Sequence, residues 1–370
     1  MTRVLITGGA GFIGSHAADV LLAAGYEVRI FDNLSPQVHG SNRQRPAYLA
    51  GDAEFSVGDV TDALAIEHAL RGTDMVLHLA SAVGVGQSMY DIEHYVRINE
   101  LGTAVLLQAL SKRPVERLVV ASSMSIYGEG LYRSGDQSVI ACEERTIEQL
   151  RRGNWELRDT AGHPLDPVPT PETKQPSLSS IYALNKYAQE RMCLITGKAY
   201  GIPTVALRFF NVFGPRQALS NPYTGVLAIF AARLLNGRPP LVFEDGRQRR
   251  DFVHVHDVAR ACRLALEADR TQDVFNIGSG QSRTILSVAE DLAEVMGRRG
   301  IAPEITRKYR AGDIRHCFAD IGKSRDLLGF EPHVAFKDGL QELAEYLADQ
   351  IADDQAERAT SELLQRGLVA

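Results

Sequence analysis

A chain of 370 residues with 45% hydrophobic side chains can bury a substantial core, in one large domain or two closely joined ones. Its formal net charge of -6 at pH 7, with both signs interspersed, offers no basic stripe to nucleic acid, and no apolar run approaches membrane-spanning length. Cys142, Cys193, Cys262 and Cys317 never approach Cys-x-x-Cys spacing, so neither a zinc site nor a disulfide framework is indicated; reduced thiols in a cytoplasmic chain acting on a small ligand fit best.

RVLIT, from Arg3 to Thr7, reads as a strand that leaves no room for a leader segment before it. Gly8, Gly11 and Gly14 follow at once and open an Ala/Leu-rich helix over 12–24. Glycines let a backbone approach a diphosphate closely, and the free N–H groups at a helix start attract its charge. The next strand, EVRIFD, ends at Asp32, 24 residues after Gly8, where a carboxylate accepts hydrogen bonds from a ribose 2′-OH and repels a 2′-phosphate. This pattern predicts NAD rather than NADP.

Strand and helix patterns then alternate through AEFSVGDV, a helix over 62–71, MVLHLAS, a helix over 91–111 and RLVVASS. Such alternation predicts a Rossmann-type doubly wound parallel sheet of the α/β class, followed by a smaller C-terminal α/β domain. Residues 129–177 break the rhythm with charged helical sequence around EERTIEQLRRG and a stretch holding Pro164, Pro167, Pro169, Pro171 and Pro176, read as a partly ordered lid. Helical sequence over 180–200 resumes the pattern, followed by TVALRFFNVFG, an apolar helix over 225–236, PLVF, DFVHVHDVARA and FNIGS. The expected division is a dinucleotide domain over 1–207, to which 252–278 returns, a second domain over 208–345, and a peripheral helix or tail over 346–370.

Tyr182 and Lys186 stand four apart on one helical face, where an ammonium beside a phenol, together with the positive nicotinamide ring, favours the phenolate and turns it into a base. Ser122 and Ser123 close the strand RLVVASS, at the sheet edge where open α/β folds bind ligands. Either serine can also be a turn or capping residue. His254 and His256 alternate beside Asp257, but no third ligand is evident from the sequence, so no metal site is expected.

In this order, TGGAGFIG, Asp32, GDV with Asp59, HLAS over 78–81, Asn99, Ser123, YALNK and RFFNVFGPRQ resemble the extended short-chain dehydrogenase/reductases, specifically their nucleotide-sugar epimerases and dehydratases. The resemblance runs from about residue 2 to 340. It implies that Gly8, Gly11, Phe12, Ile13 and Gly14 hold the diphosphate of NAD, that Asp32 and Asn33 hold its ribose, and that Asp59 and Val60 flank adenine. Leu79, Ala80 and Ser81 would line the cofactor channel, Asn99 would steady the active-site strand, and Phe209 would lie near the nicotinamide. Ser123 is favoured over Ser122 because it stands four residues before Tyr127, as in the family. Tyr182 and Lys186 complete the catalytic set, with Lys186 also on the nicotinamide ribose. A nucleotide sugar would meet Val83, Ser123, Asn211, Arg250, Arg310 and Asp313, with Leu241 and Phe243 of PLVF against its base.

Members of that family begin by oxidising the sugar at C4. Dehydratases carry an Asp-Glu pair after the catalytic serine or threonine and decarboxylases a Glu nearby, whereas Met124, Ser125 and Ile126 follow Ser123 here. That absence points to a 4-epimerase, in which the keto sugar turns over and regains the same hydride on its other face. The Pro-rich segment before SIYALNKYAQE and the run NPYTGVLAIF are most similar to the dTDP-L-rhamnose 4-epimerase subgroup, although the Cys-x-x-Cys common there is missing. UDP-glucose or UDP-glucuronate 4-epimerase is the alternative, followed by a 4,6-dehydratase or decarboxylase, then a non-catalytic NAD-binding protein. The resemblance also implies a homodimer paired through the helices over 91–111 and 180–200.

Overall fold

The computed structural model describes residues 1–41, 43–218, 225–310, 312–348, 350, 354 and 356–369. Seven parallel strands form its main sheet: β1 (Arg3–Thr7), β2 (Glu27–Asp32), β3 (Glu54–Val57), β4 (Met75–His78), β5 (Arg117–Ser123), β6 (Thr204–Phe209) and β7 (Asp273–Ile277), in the order β7-β6-β5-β4-β1-β2-β3. Every strand pair is parallel, so each connection crosses a face of the sheet, and both faces are buried.

Alternation along the strands sorts the core. Val4, Ile6, Val119, Val205 and Leu207 point to one face, where Ala17, Ala18 and Leu21 of α1 (Phe12–Ala23) and Val258, Cys262 and Leu266 of α4 (Val255–Glu267) cover them. Leu5, Val76, Leu118, Val120 and Ala206 point to the other, under Leu106 and Leu110 of α2 (Gly102–Lys112) and Cys193 of α3 (Ile181–Tyr200). The chain doubles back between β1 and β4, so the carboxyl ends of these two strands flank the crevice where doubly wound sheets bind ligands.

The second half builds a smaller layer. Arg249–His254 pairs antiparallel with Ser282–Thr284 on one edge and parallel with Asn211–Phe213 and His316–Cys317 at successive positions on the other, while Leu241–Val242 pairs with Glu304–Ile305. Helices Val226–Leu235, Ile285–Val295 and Phe336–Leu347 bury Phe230, Leu292 and Leu343 in one cluster there. Arg249–His254 runs directly into α4, so the chain passes back onto the main sheet before β7.

One expectation needs correction and one gains detail. The helix read over 91–111 runs without a gap from Ile92 to Lys112, with a π turn at Arg97–Leu101 between Ile92–Val96 and α2. The wider turn brings Asn99 inward, where its side chain accepts from Ala82 N at 2.7 Å and donates to Ala82 O at 3.1 Å. The segment 129–177 is no loosely ordered lid. Leu131–Arg133 pairs with Val139–Ala141 and Asp166–Val168 in an antiparallel sheet, its charged run makes only the short helix Ile147–Arg151, and Lys174 Nζ donates to Tyr127 O at 2.7 Å. In the tail, Ala356–Gln365 is helical; residues 221–224 of NPYTGVLAIF and Ala311 of RAGD lie outside the described residues.

Candidate functional site

β1 delivers the chain into a turn that only glycine can make. Gly8 has φ of +69°, and a Cβ there would lie 2.7 Å from Ala80 N. A Cβ on Gly14 would overlap Gly8 O, whereas one on Gly11 would meet only Gly8 O, at 3.3 Å. The open side is therefore the first turn of α1, capped by Gly11 without any side-chain bond and flanked by half-buried Phe12 and Ile13. This cradle of unfilled space and free N–H groups fits a dinucleotide diphosphate. Asp32, at the end of β2, is buried and accepts from Ala10 N at 3.0 Å and Leu34 N at 2.9 Å. Asn33 donates to Asp59 at 3.1 Å and Val60 is buried beside it, so these residues gather at one edge of the cradle. On the other edge Ala80 N donates to Thr7 Oγ1 at 3.3 Å and Ser81 Oγ to Asn99 Oδ1 at 3.0 Å, just after Leu79.

α3 carries both Tyr182 and Lys186, and its start is fixed twice: Ser180 Oγ accepts from Ala183 N at 3.1 Å, and Ser88 Oγ from Tyr182 N at 3.0 Å. Ser123 ends β5 in register with Phe209 on β6; its hydroxyl accepts from Ser125 N at 3.2 Å and Ser125 Oγ at 3.0 Å and stands close enough to the Tyr182 phenol to influence its ionisation. Ser122 points elsewhere, donating to Glu190 at 2.7 Å, where Glu190 pairs with Arg208 at 2.6 Å. Thus Ser123, Tyr182 and Lys186 come together, and Ser122 belongs to the support behind them.

The electrostatics differ from the sequence expectation. Burial pushes the Tyr182 phenol up to about 12, with the Ser123 hydroxyl pulling it back, and burial drives Lys186 down to about 8. Among the protein's own groups, only desolvation and the Ser123 hydroxyl act on the phenol, and the Lys186 ammonium contributes no resolved share. Lys186 Nζ instead donates to Gln189 Oε1 at 3.0 Å.

Gln189 was missed, although its place three residues after Lys186 on the same helical face was readable. Its amide donates to Thr103 Oγ1 at 2.9 Å, while Thr103 donates to Asn99 O at 2.6 Å. Thr103 therefore receives His78 Nε2–H at 3.0 Å, leaving His78 Nδ1 to accept from Thr7 Oγ1 at 2.7 Å. Burial, helped by the Lys186 charge, lowers His78 to about 3, which keeps this chain of bonds neutral up to Lys186.

Across the crevice, Arg310 lies over the Phe243 ring at 4.6 Å, and its buried Nε has no hydrogen-bond partner among the described residues. Arg250 is 3.5 Å from Asp313 and donates to the carbonyls of Arg249, Ile314 and Arg315. Asn211 donates to Asp251 O at 2.9 Å, Leu241 lies in the short strand leading to Phe243, and Val83 is exposed on the opposite bank.

The family described as "NAD dependent epimerase/dehydratase family" matches residues 4–148 and 159–278. The chain belongs to this family. Its dinucleotide cradle accordingly takes NAD as cofactor. This family member is 34% identical to a dTDP-L-rhamnose 4-epimerase of Burkholderia thailandensis over 94% of its own length and 96% of that relative. A UDP-glucose 4-epimerase of Thermotoga maritima, solved with UDP-glucose, superposes with a TM-score of 0.74 at 32% identity, covering 93% of this chain and 98% of that one. A UDP-glucuronic acid 4-epimerase of Bacillus cereus, solved with UDP-glucuronic acid and NAD, gives 0.75 at 27% identity, covering 94% and 99%.

The fold also supplies the neighbour that His254 and His256 lacked in sequence: Glu342 stands 3.5 Å from His254 Nε2 and 3.6 Å from His256 Nε2. His254 Nδ1 accepts from His256 N at 3.4 Å, so in that tautomer Nε2 carries its hydrogen toward the carboxylate. Among the described residues no helix is long and apolar enough to cross a membrane.

Proposed function

We propose that this protein is a nucleotide-sugar 4-epimerase acting on a dTDP-6-deoxyhexose of the dTDP-L-rhamnose type. The observation that carries the reaction is the set Ser123, Tyr182 and Lys186 at the mouth of the NAD cradle, without a free carboxylate in the chain that follows Ser123. The first acid after it, Glu129, is occupied: it accepts from Arg315 N at 2.7 Å, His316 N at 3.2 Å and Tyr132 OH at 2.6 Å. A dehydratase needs such an acid to move a second proton; an epimerase does not.

NAD, when bound, supplies a reversible acceptor for the hydrogen on C4. Tyr182 takes the C4 hydroxyl proton and later returns it, while Ser123 bonds the same oxygen and orients it. Lys186, held by Gln189, keeps positive charge beside the phenol, and the apolar Val83 leaves the sugar free to turn over. Arg250, Arg310 and Asn211 grip the nucleotide diphosphate and Asp313 accepts from a ribose or sugar hydroxyl, with Phe243 and Leu241 at the base. The substrate class is supported by the Burkholderia relative; the Thermotoga and Bacillus structures favour UDP-glucose or UDP-glucuronate as the second reading.

Incubating dTDP-, UDP- and GDP-sugars with the enzyme, without added reductant, and reading C4 stereochemistry decides between them. Tyr182→Phe is expected to keep NAD and lose interconversion, and normal turnover by that variant removes Tyr182 as the base. The reading includes a cytoplasmic homodimer: the four thiols are unpaired, and Ile92, Val96, Leu101, Leu184 and Ile195 leave apolar side chains exposed on the two expected interface helices. Light scattering at micromolar concentration should give twice the chain mass, and a monomer there excludes the dimer.

A further inference from the structure

The C-terminal helix Ala356–Gln365 joins the two banks of the crevice. At its start, Asp354 and Glu357 lie 3.4 and 3.3 Å from the guanidinium of Arg233, whose side chain is 3% exposed. A buried guanidinium requires such partners, which fixes the segment against helix Val226–Leu235. Further along, Glu362 accepts from Tyr90 OH at 3.2 Å, Arg366 lies 4.2 Å over the Tyr90 ring, and Leu363 is buried with Cδ1 3.4 Å from where a Gly86 Cβ would stand. Beyond the helix, Val369 is buried and forms a backbone bridge with Arg310.

These contacts fall on opposite sides of the place assigned to the nucleotide sugar. Gly86 and Tyr90 belong to the segment that begins at Val83 and is tied through Ser88 Oγ to the backbone of Tyr182. Arg310 is the stacked residue on the nucleotide side, with its unpartnered Nε. A helix bonded to both cannot stay in place while the crevice opens, so ligand entry and exit require its release.

We infer that the C-terminal helix is part of the substrate site, a built-in cover that retains a nucleotide sugar by bridging the Val83–Tyr90 bank to Arg310. The inference rests on the nucleotide-sugar reading above. Glu362, Leu363 and Val369 are positioning residues in it: they hold the two banks together and leave the proton chemistry to Tyr182.

Two variants test it, a chain ended after Ala348 and the full chain with Leu363→Asp, each checked for NAD content and melting temperature before kinetics. For whichever nucleotide sugar the intact enzyme interconverts, KM should rise about tenfold in both variants, with a smaller change in kcat. Independently, dTDP or UDP should slow proteolytic cleavage within the tail of the intact protein several-fold. Unchanged KM in folded, NAD-loaded variants overturns the cover, as does cleavage insensitive to both nucleotides. If the intact enzyme converts no nucleotide sugar, the functional reading fails instead, and the proteolysis arm alone then decides whether the helix closes over a nucleotide.

Discussion

Two buried polar networks meet near the crevice, and they are built on opposite principles. Behind α3, Thr7, His78, Thr103 and Gln189 form a neutral chain of hydrogen bonds that ends on one charge, Lys186. Under the 129–177 segment, ions pack against ions: Arg315 reaches Glu244 at 2.9 Å, Asp245 at 2.7 Å and Glu156 at 2.5 Å, while Arg145 reaches Glu244 at 2.9 Å. In the first, the neutral donors meet acceptors and the cost of desolvation falls on the one ammonium that the chain places. In the second, each charge is tolerable only because its partners are present, so the network locks the segment in place and is fragile to the loss of any member.

Breaking the ionic side should have the largest effect. Arg315→Ala leaves Glu244 to Arg145 alone and takes from Asp245 and Glu156 their shared partner, and should cost about 3–5 kcal/mol in urea or thermal unfolding. A cost near that of an exposed pair would show that water reaches the network.

The neutral side should respond more mildly and in a directed way. Gln189→Leu removes the acceptor on Lys186 and a donor to Thr103, costing about 1–3 kcal/mol. It should also move the alkaline limb of the activity profile, set by Lys186 near 8, about one unit lower, whereas Gln189→Glu should move it up. Because the folded Lys186 value lies below its ordinary 10.5, the folded state releases that proton first, and this group's share of stability rises with pH from about 8 to 10.5. Opposite shifts in the two variants sharpen the comparison; a common shift would show that Gln189 acts only by packing.

The smallest effect separates the networks by pH. Burial pushes Glu156 up, but bonds from His316 and Arg315 outweigh it and bring the carboxyl from 4.5 down to about 2. Its contribution is full above pH 4.5 and is lost as pH falls toward 2. Glu156→Gln should therefore flatten acid unfolding in that window and leave stability near pH 9 to follow Lys186. An unchanged acid limb would remove Glu156 from the network's balance.

What could be read beforehand follows from how local each signal is. The glycine turn, Asp32 and the strand-helix rhythm depend on neighbours a few residues apart, because turn geometry and side-chain periodicity are local, and the cradle stands where they put it. The Tyr182–Lys186 pair was equally legible as one helical face, but the balance of its charges was not, because burial arises from segments far away in the chain. The 129–177 segment misled for the same reason: its charges look like solvated helix until Glu129, Arg145 and Glu156 meet Glu244, Asp245 and Arg315.

The sequence by itself determined the dinucleotide fold, the family and the helical face that carries Tyr182 and Lys186, since each is written in short spacings that backbone geometry translates directly. Only the tertiary structure decided which serine faces the phenol, that Gln189 holds Lys186, that the insertion is docked rather than loose, and that the last helix reaches both Gly86 and Arg310. Those outcomes depend on which distant groups exclude water from one another, and desolvation is a property of the packed whole.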